Sequence, residues 1–401
     1  MQVRLEVVAI GSSAYLSFGS GLTNIAKHWF LIFNFIKSRA AVTGGRNTNA
    51  TPAQSPNVAC HFMTNFKILC DINENINFII GGISKRADIS DLTIEDNIKR
   101  IYRIQFSQAP TTTNLLAVLK IIKSNPNIDL RFYGKYSEEQ IEWSLLSSVE
   151  RLQIDLWETK ELKQVSQLTK LKRFGITKNV KSSVSLKILE SLTNLQTLYT
   201  SISKDIQAIG GLNQLHFLSL REIKTENLDF LTKLENLNTV WLSLGSYDNF
   251  KAIGKIKNLK KLSLHQVRGF DNINANEALA KCENLEALQL QDLKNIQTLH
   301  FLTNLKSLKY LQMEGLKNIE TYKPILNCTS LETFLAYNCK PTDKSLKGLT
   351  NVKNIGLGDS YSKDEIDYLV SNFTGETISI RAKEIKGKLK YINQFDTMQQ
   401  S

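Results

Sequence analysis

A nine-residue frame, apolar at its first, fourth, seventh and ninth positions, recurs along this chain, and no other feature limits its fold as much. The frame reads Leu212, Leu215, Leu218, Leu220. It returns as Leu234, Leu237, Val240, Leu242 and as Ile256, Leu259, Leu262, Leu264. Downstream copies begin at Cys282, Leu305, Cys328 and Leu349, and upstream copies at Leu192, Leu168 and Leu146. Two weaker copies come first: Ile98, Ile101, Ile104, Phe106, then Ile122, Asn125, Ile128, Leu130. The twelve first positions are 24, 24, 22, 24, 20, 22, 22, 26, 23, 23 and 21 residues apart, a spacing too even for chance. Within each frame the last three residues alternate as a half-buried strand does. One copy is too small to bury its own apolar face. The copies must therefore stack and pair their strands into a parallel sheet. The stretch between strands, as at 228–231, is expected to return the chain through a short helix or 3₁₀ turn on the leucine side. At about 4.8 Å per strand, the eleven steps make a sheet roughly 53 Å wide.

The frame and its period resemble the leucine-rich-repeat family, built from units of about 20–29 residues. The resemblance implies an α/β solenoid over residues 98–371. Its curved parallel sheet would lie on the concave side, with short helices or 3₁₀ turns on the convex side. It also implies that partners dock on the outward residues of the sheet. The chain departs from the family three residues after the L-x-L, where Asn or Cys is usual. Here that place holds Ile223, Gly245, Val267, Leu293, Leu316, Cys339 and Ser360. Hydrophobic filling is expected there, with turns looser than the family norm.

Stacked repeats expose core at both ends and need caps. Residues 63–97 are expected to supply the first. The runs Phe66-Ile68-Cys70-Ile72 and Ile76-Phe78-Ile80 around Asn73-Glu74-Asn75 read as a hairpin. Residues 372–401 are expected to hold the second cap and a basic tail, after a helix over 364–373 and with a last strand over 377–381. Residues 1–62 differ in kind. From 38 to 57 they are rich in Ser, Thr, Asn, Ala, Gly and Pro, with little to bury, which reads as disorder. At Met63 the composition turns to Lys, Ile, Asn and Leu, so 1–62 are expected to be a disordered or non-native extension.

The chain has 50 Lys+Arg against 38 Asp+Glu, and its net charge of +12 suits an acidic partner. Nucleic acid is not expected. Lysines such as Lys257, Lys260, Lys294, Lys306 and Lys309 spread over loops and convex positions instead of gathering with aromatics in one groove. Five cysteines, without a CxxC pair, make neither a disulfide framework nor a zinc site. Cys282 and Cys328, two repeats apart, would stand about 10 Å from each other, beyond disulfide reach. They read as buried thiols of a reducing compartment, hence the cytoplasm. No run of 18 apolar residues requires a membrane span. The P-loop, the dinucleotide fingerprint, HExxH and Gly-x-Ser-x-Gly are all absent. His216, His265 and His300 lie singly in the repeats. No catalytic residue, cofactor or metal is expected, and the chain does not read as an enzyme.

The frame also tells which side chains leave the sheet on its outward face. Arg103, Arg131, Arg151 and Arg173 come together as a basic zone in the early repeats. Tyr199, Phe217 and Trp241 make an aromatic row across adjacent repeats, with Arg221 beside them. Tyr310, Leu335 and Tyr337 extend the aromatic character, and His265 lies between. Trp, Tyr and Arg dominate protein-binding hot spots, and an indole turned outward on an open face asks for a partner. The candidate partner-binding residues are Arg151, Arg173, Tyr199, Phe217, Arg221, Trp241, His265, Tyr310 and Tyr337. The function expected is non-catalytic protein recognition by a bacterial, cytoplasmic, monomeric scaffold. A secreted or surface adhesin is the alternative, and a nucleic-acid-binding module a weaker one.

Overall fold

Each copy of the frame lays down one strand. In chain order the strands are β1 (Ile68–Asp71), β2 (Ile101–Phe106), β3 (Asp129–Gly134), β4 (Arg151–Leu156), β5 (Arg173–Ile176), β6 (Thr197–Thr200), β7 (Phe217–Arg221), β8 (Lys224–Thr225), β9 (Thr239–Ser243), β10 (Ser246–Tyr247), β11 (Lys261–His265), β12 (Ala287–Gln291), β13 (Tyr310–Glu314), β14 (Thr333–Tyr337), β15 (Asn354–Leu357), β16 (Thr377–Ile380) and β17 (Lys383–Lys386). The computed structural model describes residues 68–71, 95–99, 101–177, 184–389 and 394–395. These belong to the unit Asn65–Ser401. Residues 1–62 and the second hairpin arm expected at Ile76-Phe78-Ile80 lie outside the described residues.

Among the described residues, all strands but β8 and β10 join one 15-stranded sheet in chain order. Pairing is parallel up to β16, so each step needs a crossover. Most crossovers are single 3₁₀ turns such as Asp229–Lys233 and His300–Asn304. The α-helices are α1 (Glu95–Ile98), α2 (Thr112–Ser124), α3 (Asn272–Leu279) and α4 (Lys363–Asn372). The frame leucines and the crossover residues fill the space between. Leu215, Leu218, Leu220 and Leu231 are fully buried, and one continuous core runs from Ile101 to Ile380. At the downstream end β17 folds back antiparallel on β16, turning at Arg381 and Ala382, both with positive φ.

Two hydrogen-bond ladders hold the turns. At the strand entries, Asn194, Asn236, Asn258 and Asn284 each donate from Nδ2 to a carbonyl of the preceding repeat, at 2.9, 2.8, 2.7 and 3.2 Å. At the strand exits, Glu222, Leu244, Gln266, Asp292 and Gly315 all take the left-handed conformation. Each backbone N–H there donates to the last carbonyl of the next strand, at 2.7–2.9 Å. Holding a non-glycine residue at positive φ costs about 1–2 kcal/mol, which the ladder and the packing beyond it offset. The hydrophobic replacements Ile223, Val267, Leu293 and Leu316 are buried just past these turns, and Cys339 is buried just past Asn338, which also has positive φ. The exits are therefore tied down by backbone bonds and not loosened.

The second repeat corrects the sequence reading. There the frame set Ile128 and Leu130 as the inward pair of the strand. The observed pairing puts Ile104 opposite Leu130, Phe106 opposite Phe132, and Leu130 opposite Leu152. The strand lies two residues further on because its crossover is the 13-residue helix α2, which buries Leu115, Val118, Ile121 and Ile122 and consumes more chain than a 3₁₀ turn. A two-residue slip keeps inward residues inward, since side chains alternate, but it changes every cross-strand neighbour.

Candidate protein-binding face

That slip brings Asp129 level with Arg103 and places Arg131 opposite Gln153. Asp129 then accepts from Arg103 Nη2 at 3.0 Å and from Arg151 Nε at 2.9 Å, with Arg173 Nε 3.5 Å away. Its side chain is 6% exposed and those of the three arginines 10–15%. Burial opposes charge on Asp129, but Arg173, Arg103 and Arg151 outweigh it and hold the carboxyl below the usual carboxylate range. Arg131 pairs with the buried Asp155 at 2.5 Å, and Gln153 and Thr177 donate to the same carboxylate. The basic zone expected from the sequence is thus an ion-pair network in which two carboxylates tie down four arginines.

Beyond Arg173 the face turns aromatic. The Arg173 guanidinium lies 4.8 Å from the Tyr199 ring centre. Tyr199 packs on Phe217 at 4.9 Å, and Phe217 on Trp241 at 5.0 Å edge to face. Neighbouring strands put these outward side chains in reach of one another. The rings shield each other, so Phe217 is buried although it leaves the sheet on the outward side. Tyr199 and Trp241 are half-buried. The indole N–H of Trp241 and Nη1 of Arg221 are enclosed and meet no acceptor, although Arg221 Nε donates to Glu222 at 3.2 Å.

Past Trp241 the chain covers its own sheet. Leu389 lies beside Leu335 and Gly356, where a Cβ on the glycine would stand 3.1 Å from Leu389 Cδ2. Phe395 is buried against Ala287, Tyr310 and Leu335, with Trp241, Tyr337 and Leu389 at the edge of the cluster. Its ring centre is 6.4 Å from Trp241 and 6.1 Å from Tyr310. Lys261 Nζ donates to the Gln394 carbonyl at 3.1 Å. Burial disfavours charge on Lys261 and lowers its pKa, with Glu286 opposing.

Each of the twelve sequence frames gives one strand of a parallel run, the second offset by two residues, and the inward pair of each strand is buried. The protein is a leucine-rich-repeat solenoid. Neither a protein-family model nor a curated protein sequence matches the chain. Among solved structures the solenoid is similar to an internalin, inlF, of Listeria monocytogenes, at 14% identity over 75% of this chain and 89% of that one, with a TM-score of 0.45. For internalin C2 of the same organism the values are 21% identity, 49% and 84%, and a TM-score of 0.38. For the mouse RP105/MD-1 complex they are 15%, 70% and 55%, and 0.45.

Of the candidate residues, the solenoid gathers Arg151, Arg173, Tyr199, Phe217 and Trp241 into one contiguous strip, with Arg221 on the strand next to Trp241. Tyr310 is buried beneath Phe395 and donates from its hydroxyl to Gln312 at 2.8 Å, so it differs from the exposed side chain expected. Tyr337 borders the same cluster, and burial followed by the charge of Glu314 raises its pKa. His265 stands apart, with Nε2 3.8 Å from Asp292. The sequence reading missed Asp129, Asp155 and Phe395. The first two carry a signal, acidic residues among arginines on the outward face; counting alone sets Arg131 opposite Asp155, but only the true register sets Asp129 level with Arg103. Among the described residues no cluster of His, Cys, Asp or Glu could hold a metal ion, and no helix is long and apolar enough to cross a membrane.

Proposed function

We propose that this solenoid is a non-catalytic scaffold that binds a protein partner on the outward face of its sheet. The observation that carries the reading is the strip from Arg173 through Tyr199 and Phe217 to Trp241, with two enclosed donors, Trp241 Nε1 and Arg221 Nη1, that have no acceptor. Adjacent aromatic and arginine side chains of this kind form the energetic centre of protein interfaces. Unmet buried donors favour a ligand that brings oxygen acceptors. A protein is preferred to nucleic acid because Arg103, Arg131, Arg151 and Arg173 are held by Asp129 and Asp155 and are not free to neutralise phosphates. An acidic partner suits the net charge of +12. In this reading the scaffold is a bacterial protein of the cytoplasm, where Cys282, Cys328 and Cys339 stay reduced. The test is the affinity of a partner captured with the full chain for Trp241→Ala and for Lys257→Ala, an exposed control. Trp241→Ala is expected to bind about thirty-fold more weakly, and Lys257→Ala unchanged. Equal affinities for variants that are both folded by circular dichroism would refute the assignment of this face.

A further inference from the structure

The outward face already holds a polypeptide ligand, its own chain. Leu389 lies over Gly356 on β15 and against Leu335 on β14. Phe395 covers Tyr310 on β13 and Ala287 on β12, and it reaches Trp241 on β9. The Gln394 carbonyl is taken by Lys261 on β11. These contacts join residues far apart in the chain, the Lys261–Gln394 bond spanning 133 positions. The seat is apolar at its floor, where Ala287 gives room and Leu335 and Tyr310 give walls, and polar at its rim, where Lys261 binds a main-chain oxygen. Phe395 fills the floor, yet the neighbouring donors Trp241 Nε1 and Arg221 Nη1 go unmet. Arg221 pairs with Ser243 in the ladder, two residues past Trp241 on β9, so one ligand segment can reach both donors. The occupant therefore satisfies the apolar part of the site and leaves part of its polar demand open.

We propose that the segment bearing Leu389, Gln394 and Phe395 is an internal competitor for this face. The partner displaces it by inserting an aromatic side chain into the Phe395 seat and bringing a carboxylate or carbonyl to Trp241 Nε1 and Arg221 Nη1. The proposal rests on the reading of this face as the partner site. It supplies the chemistry of the partner segment: an aromatic residue flanked by an oxygen acceptor, with a main-chain carbonyl for Lys261. A partner sees the site only in the fraction of molecules whose seat is empty. If the segment is docked about nine-tenths of the time, removing it tightens apparent binding about tenfold.

The experiment uses the full chain, the full chain with Phe395→Ala, and a fluorescein-labelled synthetic peptide of residues 388–401 as probe. The peptide is expected to bind the Phe395→Ala protein at least about tenfold more tightly than the intact protein. It should fail to bind when Trp241→Ala is added or when its own phenylalanine is replaced by alanine. The Trp241 indole resonance of ¹⁵N-labelled protein, assigned with Trp241→Phe, should shift on Phe395→Ala and return when peptide is added. Equal peptide binding to both proteins, no binding to Phe395→Ala, or an indole resonance indifferent to Phe395 would each overturn the proposal. So would an intact chain whose concentration-dependent dimer is abolished by Phe395→Ala, since the occupant would then be a second copy. A captured partner that binds intact and Phe395→Ala proteins equally, yet is lost with Trp241→Ala, overturns the competition and leaves the recognition face standing. A partner indifferent to Trp241→Ala overturns both.

Discussion

Replacing Asp129 with asparagine removes a single charge from a site where one carboxylate serves three guanidinium groups. Asp129 meets Arg103 at 3.0 Å, Arg151 at 2.9 Å and Arg173 at 3.5 Å, with all four side chains at least 85% buried. Asparagine has nearly the same shape and keeps one acceptor, so the packing loss is small. What changes is that three cations lose their counter-ion in a place where water cannot replace it. Breaking a buried ion pair from one side costs about 3–5 kcal/mol, and that is the loss expected for Asp129→Asn at neutral pH. The pH dependence gives a second check. The native carboxyl titrates below its unfolded value of about 3.9, so in acid the unfolded chain binds a proton that the native one refuses. The stabilisation is complete above that value and is lost as pH falls through the lower native pKa. The gap between native protein and Asp129→Asn should therefore be widest at pH 5–7 and close as acid protonates Asp129. Urea unfolding at a series of pH values measures both effects. Adding Arg173→Gln to Asp129→Asn should restore part of the loss, because one unmatched cation leaves with it. A change within about 0.5 kcal/mol at pH 7 would show that the arginines are solvated, and would return them to the free basic patch that the sequence suggests.

Three further outcomes are expected. Leu218→Ala should cost about 2–5 kcal/mol in urea melts, because Leu218 is fully buried mid-stack, whereas the half-buried Ser219→Ala should stay within about 0.5 kcal/mol; the opposite ranking would mean a wrong strand register. Gly348→Ala should destabilise by about 1–3 kcal/mol, because a Cβ there would come within 2.2 Å of the Tyr322 carbonyl oxygen, while Gly211→Ala meets nothing and should be neutral or slightly stabilising; equal melting curves for the two would refute the close contact between neighbouring crossovers. Burial pushes the thiols of Cys282 and Cys339 up to about 12, so both should resist maleimide labelling at pH 8 until urea unfolds the repeats, as peptide mass mapping would read; rapid native labelling of either would contradict its burial.

The aromatic strip was legible in part. Tyr199, Phe217 and Trp241 fall in outward columns by counting alone, and the ladder pairs their strands as counted. Their exposure was not legible, because it depends on rings from three strands closing over one another. The asparagine ladder at the strand entries could have been seen, since Asn194, Asn236, Asn258 and Asn284 all precede a frame leucine or equivalent by one residue. In the second repeat the frame had an apolar lapse at Asn125, and Phe132 was available two residues on. A 13-residue helix and a 3₁₀ turn can both fill such a gap, and they differ in how much chain they use.

By itself the sequence determined that strands recur, which of their residues point inward, and that the result is a stacked parallel sheet. Those properties follow from the period of the strand and from the inability of one repeat to bury its own leucines, and both can be read along the chain. Tertiary structure alone decided the charge and the openness of the outward face. Asp129 neutralises arginines 22–44 residues away only because α2 sets the register of β3. Phe395 reaches Trp241 only because β17 turns back after the last parallel strand. Charge cancellation and ring burial depend on distances of a few ångströms between residues far apart in the chain. Such distances are set by crossover lengths and turns summed over many repeats, which no local pattern of residues records.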